Sequence, residues 1–121
     1  DAQESRGLGD VYKRQVSYEA HYYFMHVISR SRLKEFYEKH TQAKAPLEAW
    51  FAEASHARWR SFQEIRELYR SADVIADNRV IFNIGGNKYR LVVRINYESE
   101  TVFIRFVGTH SDYAKIDSAT I

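Results

Sequence analysis

The feature that most constrains this chain is a change of hydrophobic period partway along it. In the first part, apolar residues recur every three or four positions. Leu33, Phe36, Tyr37 and His40 fall at i, i+3, i+4 and i+7, which is one face of a helix. Leu47, Trp50, Phe51 and Ala54 repeat that spacing, with Pro46 at a first helical position, where its missing N–H costs nothing. Ser61 and Glu64 have the capping-box spacing at the head of a third helix, whose buried stripe is Phe62, Ile65, Leu68 and Tyr69. In the second part the residues alternate. Segments 79–84, 89–97 and 101–109 are rich in β-branched and aromatic residues, the mark of strands. Gly86-Asn87 and Ser99-Glu100 lie between them as two-residue turns, the first with the positive-φ chemistry such loops require. With Met25-His26-Val27-Ile28 as a short leading strand, the pattern predicts an α+β domain. Two to three helices should pack on an antiparallel sheet of three to four strands.

Composition sets the outer limits. A chain of 121 residues that is 45% hydrophobic is one compact domain. Cysteine is absent, which excludes a disulfide scaffold and a thiolate zinc site. The apolar runs are too short for a transmembrane helix, so no membrane role is expected. With no secretory pattern at its head, the expected setting is intracellular and cytoplasmic. The net charge of +2 is too small to announce nucleic-acid binding by itself. The aromatic share of 15% implies either an aromatic core or a stacking surface. Residues 1–15 follow neither helix nor strand period, and segment 6–15 resembles translated sequencing-adapter read-through, so residues 1–24 are set apart. They are read as a non-native or disordered extension, although Tyr18, Tyr22, Tyr23 and Phe24 could pack. Residues 25–121 are read as the folded domain.

If both turns have two-residue loops, Val80 faces Val93, Phe82 faces Leu91 and Ile84 faces Tyr89. In the second hairpin Val93 would face Phe106, Ile95 would face Ile104, and Tyr97 would face Val102. All of these are apolar and share one side, the expected core face. The opposite side gathers Arg79, Arg94 and Arg105 in one row and Asn83, Arg90 and Thr109 in another. Lys88 stands beside the glycine turn and His110 at the strand end. Like charges side by side destabilise a sheet. An anion would relieve that penalty, and phosphate matches arginine geometry. The alternative is a solvated face whose arginines lay their stems along it. His110 could move a proton, with Tyr113 flanking the same substrate, or it could be a loop residue with Asp112 as a local helix cap. Gly85-Gly86-Asn87 is a hairpin turn rather than a phosphate cradle. His26 is expected to serve packing, His40 to be a partly buried face residue and His56 a helix-end residue, and these histidines and His110 lack metal-ligand spacing.

Two long motifs carry a resemblance. The run Asp77-Asn78-Arg79-Val80-Ile81-Phe82-Asn83-Ile84-Gly85-Gly86-Asn87-Lys88-Tyr89-Arg90-Leu91-Val92-Val93 is followed at the right separation by Phe103-Ile104-Arg105-Phe106-Val107-Gly108-Thr109-His110-Ser111-Asp112-Tyr113. Together they resemble the HigB toxin family, part of the RelE-type superfamily of bacterial toxin–antitoxin systems. The likeness spans residues 25–121, a RelE-like toxin domain. It implies an mRNA interferase, an endoribonuclease that cuts messages on translating ribosomes and inhibits translation. It also implies contacts to 16S rRNA and neutralisation by a HigA-type helix-turn-helix antitoxin. No metal and no cofactor are implied. A ribose 2′-OH attacks the adjacent phosphodiester and leaves a cyclic or 3′-phosphate and a 5′-OH. Carried over by position, Arg90 would clamp the scissile phosphate. His110 would be general acid or base, and Tyr113 would stack on a base or help proton transfer. Arg79, Asn83, Lys88, Arg94, Arg105 and Lys115 would support phosphate and RNA. The chain departs from its best-known relatives in having Ile81 and Asn83 where they carry lysines, and His110 near a position where they carry arginine. A non-catalytic RNA- or antitoxin-binding module with the same fold, or a regulator that only titrates its antitoxin, stays open as an alternative.

Overall fold

The computed structural model describes residues 24–121, so the expectation for residues 1–24 lies almost wholly outside the described residues. The elements are β1 (His26–Ile28), α1 (Arg30–Lys39), a 3₁₀ turn (Thr41–Ala43), α2 (Lys44–His56), α3 (Phe62–Leu68), β2 (Asp73–Ile75), β3 (Arg79–Ile84), β4 (Tyr89–Asn96), β5 (Thr101–Thr109) and α4 (His110–Tyr113). The strands form a five-stranded sheet in the order β1-β5-β4-β3-β2. β1 runs parallel to β5, and the remaining neighbours are antiparallel. The α+β expectation holds, with one strand more than anticipated. That strand is β2, whose three residues are too few to show a period.

Helices α1 to α3 cover one face. Leu33, Leu47, Trp50, Ala54 and Ile65 are buried against Val80, Phe82, Leu91, Val93 and Ile95. Phe82 sits at the centre, with Trp50 and Tyr69 edge-on at 5.5 and 5.0 Å and Trp59 stacked at 6.2 Å. Much of the aromatic share therefore goes into the core, where full burial of a side chain like Phe82 is worth about 1.5–3 kcal/mol. Pro46 lies inside the first turn of α2, which begins two residues earlier than its position suggested. A first-turn amide has no intrahelical acceptor, so the proline is tolerated there. The expected capping box at Ser61 does not form. Ser61 makes no side-chain cap bond, and Glu64 accepts instead from the Arg60 amide at 2.9 Å.

The first hairpin has the predicted register: Val80 pairs with Val93, Phe82 with Leu91 and Ile84 with Tyr89, while Arg79 pairs with Arg94 and Asn83 with Arg90 on the other face. Gly86 and Asn87 have φ of 61° and 78°, and the Lys88 amide donates to the Gly85 carbonyl at 3.4 Å. Two successive positive-φ residues give the loop the twist that a tight hairpin needs.

The second hairpin departs from the predicted register. Its loop runs over residues 97–100, because the ladder ends with Asn96 opposite Thr101. The Asn96 side chain accepts from the Ser99 amide at 2.9 Å, and Glu100 takes φ 57°. Val93 therefore faces Ile104, not Phe106, and Ile95 faces Val102, not Ile104; Tyr97 falls in the loop. Farther on, Val92 pairs with Phe106, which leaves Arg105 bulged out of the ladder. The bulge flips β5 beyond it. Phe106 moves from the expected core face to the outer face, Arg94 meets Phe103 rather than Arg105, and Arg90 meets Gly108 rather than Thr109. A longer loop and one extra residue thus rewrite the two cationic rows.

Candidate active site

The outer face is not an open cationic surface. Val92 is fully buried there, away from the helical core. The segment after α4 folds back, and the Ile121 carbonyl accepts from Arg79 Nε at 2.9 Å and from Arg105 Nε at 3.3 Å. Arg79 is only 7% exposed, and its Nη1 lies 3.6 Å from the Asp77 carboxylate. Arg94 is exposed and donates to the Asp77 carbonyl at 3.3 Å. The expectation of a free row of three guanidinium groups is corrected in this respect: Arg79 is buried and engaged by the returning chain.

The end of the sheet beside the glycine turn is arranged differently. Thr109 caps α4 in a reciprocal box. The Asp112 amide donates to Thr109 Oγ1 at 3.1 Å, and the Thr109 amide donates to Asp112 Oδ2 at 3.2 Å. The Thr109 amide, then the Thr109 hydroxyl, hold the Asp112 carboxyl below its usual range, with the charges of Lys115 and His40 adding to the effect. The His110 amide donates to the Lys88 carbonyl at 3.3 Å, which ties the head of α4 to the first hairpin. These bonds place the imidazole: Arg90 Nη2 lies 2.6 Å from His110 Nε2. A guanidinium has no acceptor, so Arg90 donates and His110 Nε2 presents its lone pair, with the ring proton on Nδ1. The Tyr113 ring lies 5.8 Å from the Arg90 guanidinium carbon, and its hydroxyl donates to Ser118 Oγ at 3.1 Å. Phe106 completes the group, 6.3 Å from Tyr113. Arg90 Nη1 is buried without a hydrogen-bond partner. Leaving a buried donor unmatched costs on the order of 1–3 kcal/mol, and more when the group is charged.

The residues anticipated from sequence thus separate into two sets. Arg90, His110 and Tyr113 converge. Lys88 joins them through its carbonyl, while its amine donates to Gln42 Oε1 at 3.2 Å. Lys115 is exposed one helical turn beyond His110. Asn83 pairs with Arg90 on the sheet but turns its amide to the Ser71 carbonyl at 3.3 Å. Arg79 and Arg94 lie at the opposite end of the outer face, and bulged Arg105 reaches the Ile121 carbonyl there. His40, expected as a partly buried face residue, stacks on Phe36 at 4.3 Å, and in its charged form it lowers the Asp112 pKa. No spacing in the chain relates His40 to Asp112; α1 and α4 both pack on β5. Among the described residues no cluster of His, Cys, Asp or Glu could hold a metal ion, and no helix is long and apolar enough to cross a membrane.

The family described as HigB_toxin, RelE-like toxic component of a toxin-antitoxin system, matches residues 43–116. The mRNA interferase toxin HigB of Escherichia coli K12 is 32% identical over 91 residues, covering 74% of this chain and 88% of that protein. The mRNA interferase HigB of Shigella flexneri is similar to the same extent, 32% over 91 residues and the same shares of each chain. The mRNA interferase HigB of Escherichia coli O6:H1 is 21% identical over 94 residues, covering 76% of this chain and 91% of that protein.

Proposed function

The chain belongs to the HigB family of RelE-like toxins of toxin–antitoxin systems, and from that premise we propose that it is an mRNA interferase whose cutting site is the Arg90–His110–Tyr113 cluster. The observation that carries the assignment is the 2.6 Å contact between Arg90 Nη2 and His110 Nε2. It sets a phosphate-matching cation beside an imidazole lone pair at an exposed rim.

Cleavage by a ribose 2′-OH needs a proton acceptor, a proton donor and positive charge around the phosphorane. As a scissile phosphate approaches, Arg90 Nη2 exchanges its bond to the imidazole for a bond to a non-bridging oxygen. That frees His110 Nε2 to take a proton from the 2′-OH or, once protonated, to give one to the leaving 5′-oxygen. Tyr113 keeps its hydroxyl on Ser118 and its ring beside Arg90, which supports stacking on a base over proton transfer. Lys88, Lys115, Arg94 and Arg105 steer and hold the rest of the RNA, and Asn83 braces the strand beneath Arg90. Arg79, buried under the returning chain, serves the fold instead. The protein acts on ribosome-bound message, with 16S rRNA contacts on its surface cations, and a HigA-type helix-turn-helix antitoxin silences it.

The test is primer-extension mapping of messages in a translating extract, together with analysis of the cut ends. Discrete cuts that leave a 5′-OH and a cyclic or 3′-phosphate are expected from the intact protein and not from His110→Ala. Equal cutting by both proteins removes the site assignment, and no cutting by the intact protein favours a binding module.

A further inference from the structure

β1 leaves β5 after Phe103, and among the described residues no strand replaces it along the remainder of that side. α1 stands there instead. Between the two runs an open groove of about 670 Å³. Its helix wall presents Arg32, Phe36 and Lys39, and its sheet wall presents Arg105 and Phe106. The spacing of Arg32, Phe36 and Lys39 puts them on one face of α1. Arg32 Nη1 donates to the Ile104 carbonyl at 2.8 Å, so this guanidinium is fixed at the groove wall. The β5 bulge turns Arg105 and Phe106 to the outer face of the sheet, where they form the lip of the groove.

We propose that this groove seats the stretch of message next to the bond being cut; this rests on the function proposed above. Three observations converge on a single-stranded RNA as the occupant. The lining has three cations against the carboxylate of Glu35, a balance that suits a phosphate chain. It offers the Phe106 ring, on which a base can stack regardless of sequence, beside the apolar wall of Phe36. It is continuous with the cutting site through Phe106, which contacts Tyr113 at 6.3 Å beside Arg90. A nucleotide at His110 therefore has its neighbour directed over Phe106 and its backbone along Arg105, Lys39 and Arg32.

The test uses the full chain and a fluorescent single-stranded RNA blocked by 2′-O-methyl groups, with binding followed by anisotropy at low salt and no ribosome. Lys39 and Glu35 are exposed and outside the cutting cluster, so the variants are Lys39→Glu and Glu35→Lys. Lys39→Glu should weaken binding several-fold and lower the salt slope, by about 0.7 for each phosphate that is no longer neutralised. Glu35→Lys should tighten binding. Binding by both variants equal to that of the intact chain overturns the groove assignment, as does an intact chain that does not hold the RNA. An effect seen only on ribosome binding also overturns it, because the groove would then face ribosomal RNA. Cleavage by His110→Ala is scored separately on ribosomes, so loss of the site assignment is told apart from loss of the groove.

Discussion

Two ends of one sheet face carry arginines of the same kind and use them in opposite ways. At the end near Asp77, Arg79 is buried, its Nε bonded to the Ile121 carbonyl and its Nη1 beside a carboxylate. At the glycine-turn end, Arg90 is half-buried and rests Nη2 on an imidazole, while the Nη1 of each arginine is buried without a hydrogen-bond partner among the described residues. Sequence position does not distinguish them, since both sit on outward-facing strand positions. The difference lies in what covers them. Burial under the returning chain, together with a backbone carbonyl on its Nε, makes the Arg79 guanidinium part of the fold. A side chain that Arg90 must release to meet a ligand leaves it available for chemistry.

That contrast is open to attack at both ends. The largest effect is expected from His110→Ala. Removing a positioned proton carrier should slow single-turnover cleavage on ribosomes by about 10²–10⁴-fold, with the urea midpoint of unfolding unchanged. A clear fall in that midpoint would make His110 a structural residue like Arg79. Gly108→Ala should damage the site through packing. A Cβ there would lie 2.6 Å from Phe106 Cζ and 3.1 Å from Asp112 Cβ. Overpacking of this kind costs about 1–3 kcal/mol. The displaced ring and α4 head should lower cleavage more than stability, as comparison of rate with unfolding midpoint will show. Arg79→Ala should do the reverse. It should lower stability by about 1–3 kcal/mol in urea titration while cleavage stays within a few-fold of the intact protein.

The smallest effect is a pH dependence at the α4 cap. The Asp112 carboxyl is held below its usual range in the folded chain by the Thr109 amide and hydroxyl. A depressed folded pKa means that the folded state favours the ionised form. Its contribution is complete above the unfolded value and is lost as pH falls through the folded one. The unfolding midpoints of the intact chain and Asp112→Asn should therefore differ at neutral pH and converge in acid. A gap that persists unchanged in acid would mean that the carboxyl's charge plays no part in the cap.

Much of this architecture is legible in the residues. The helical stripes, except for Leu68 at the end of α3, which is 54% exposed, the Gly86-Asn87 turn and the first hairpin register follow from period and turn chemistry, because each depends on neighbours close in sequence. The second hairpin does not, because Ser99-Glu100 looks like a two-residue turn while Asn96 closes a longer loop with its side chain. The bulge at Arg105 has no local signature, yet it carries Phe106 across the sheet. The candidate site is legible in part. Arg90, His110 and Tyr113 can be named from the motif, but their meeting depends on the Thr109 cap and the Lys88 carbonyl. The burial of Arg79 cannot, because it depends on where the chain returns after α4. His40 escapes for the same reason: its proximity to Asp112 is created by tertiary packing.

The most direct measurement sets the two arginines against each other. Single-turnover cleavage of message on programmed ribosomes is followed for Arg90→Ala and Arg79→Ala, each first shown to be folded. Loss of a phosphate clamp predicts a fall of about 10²–10³-fold for Arg90→Ala and near-normal cutting for Arg79→Ala. Equal losses, or the larger loss at Arg79, would contradict the account.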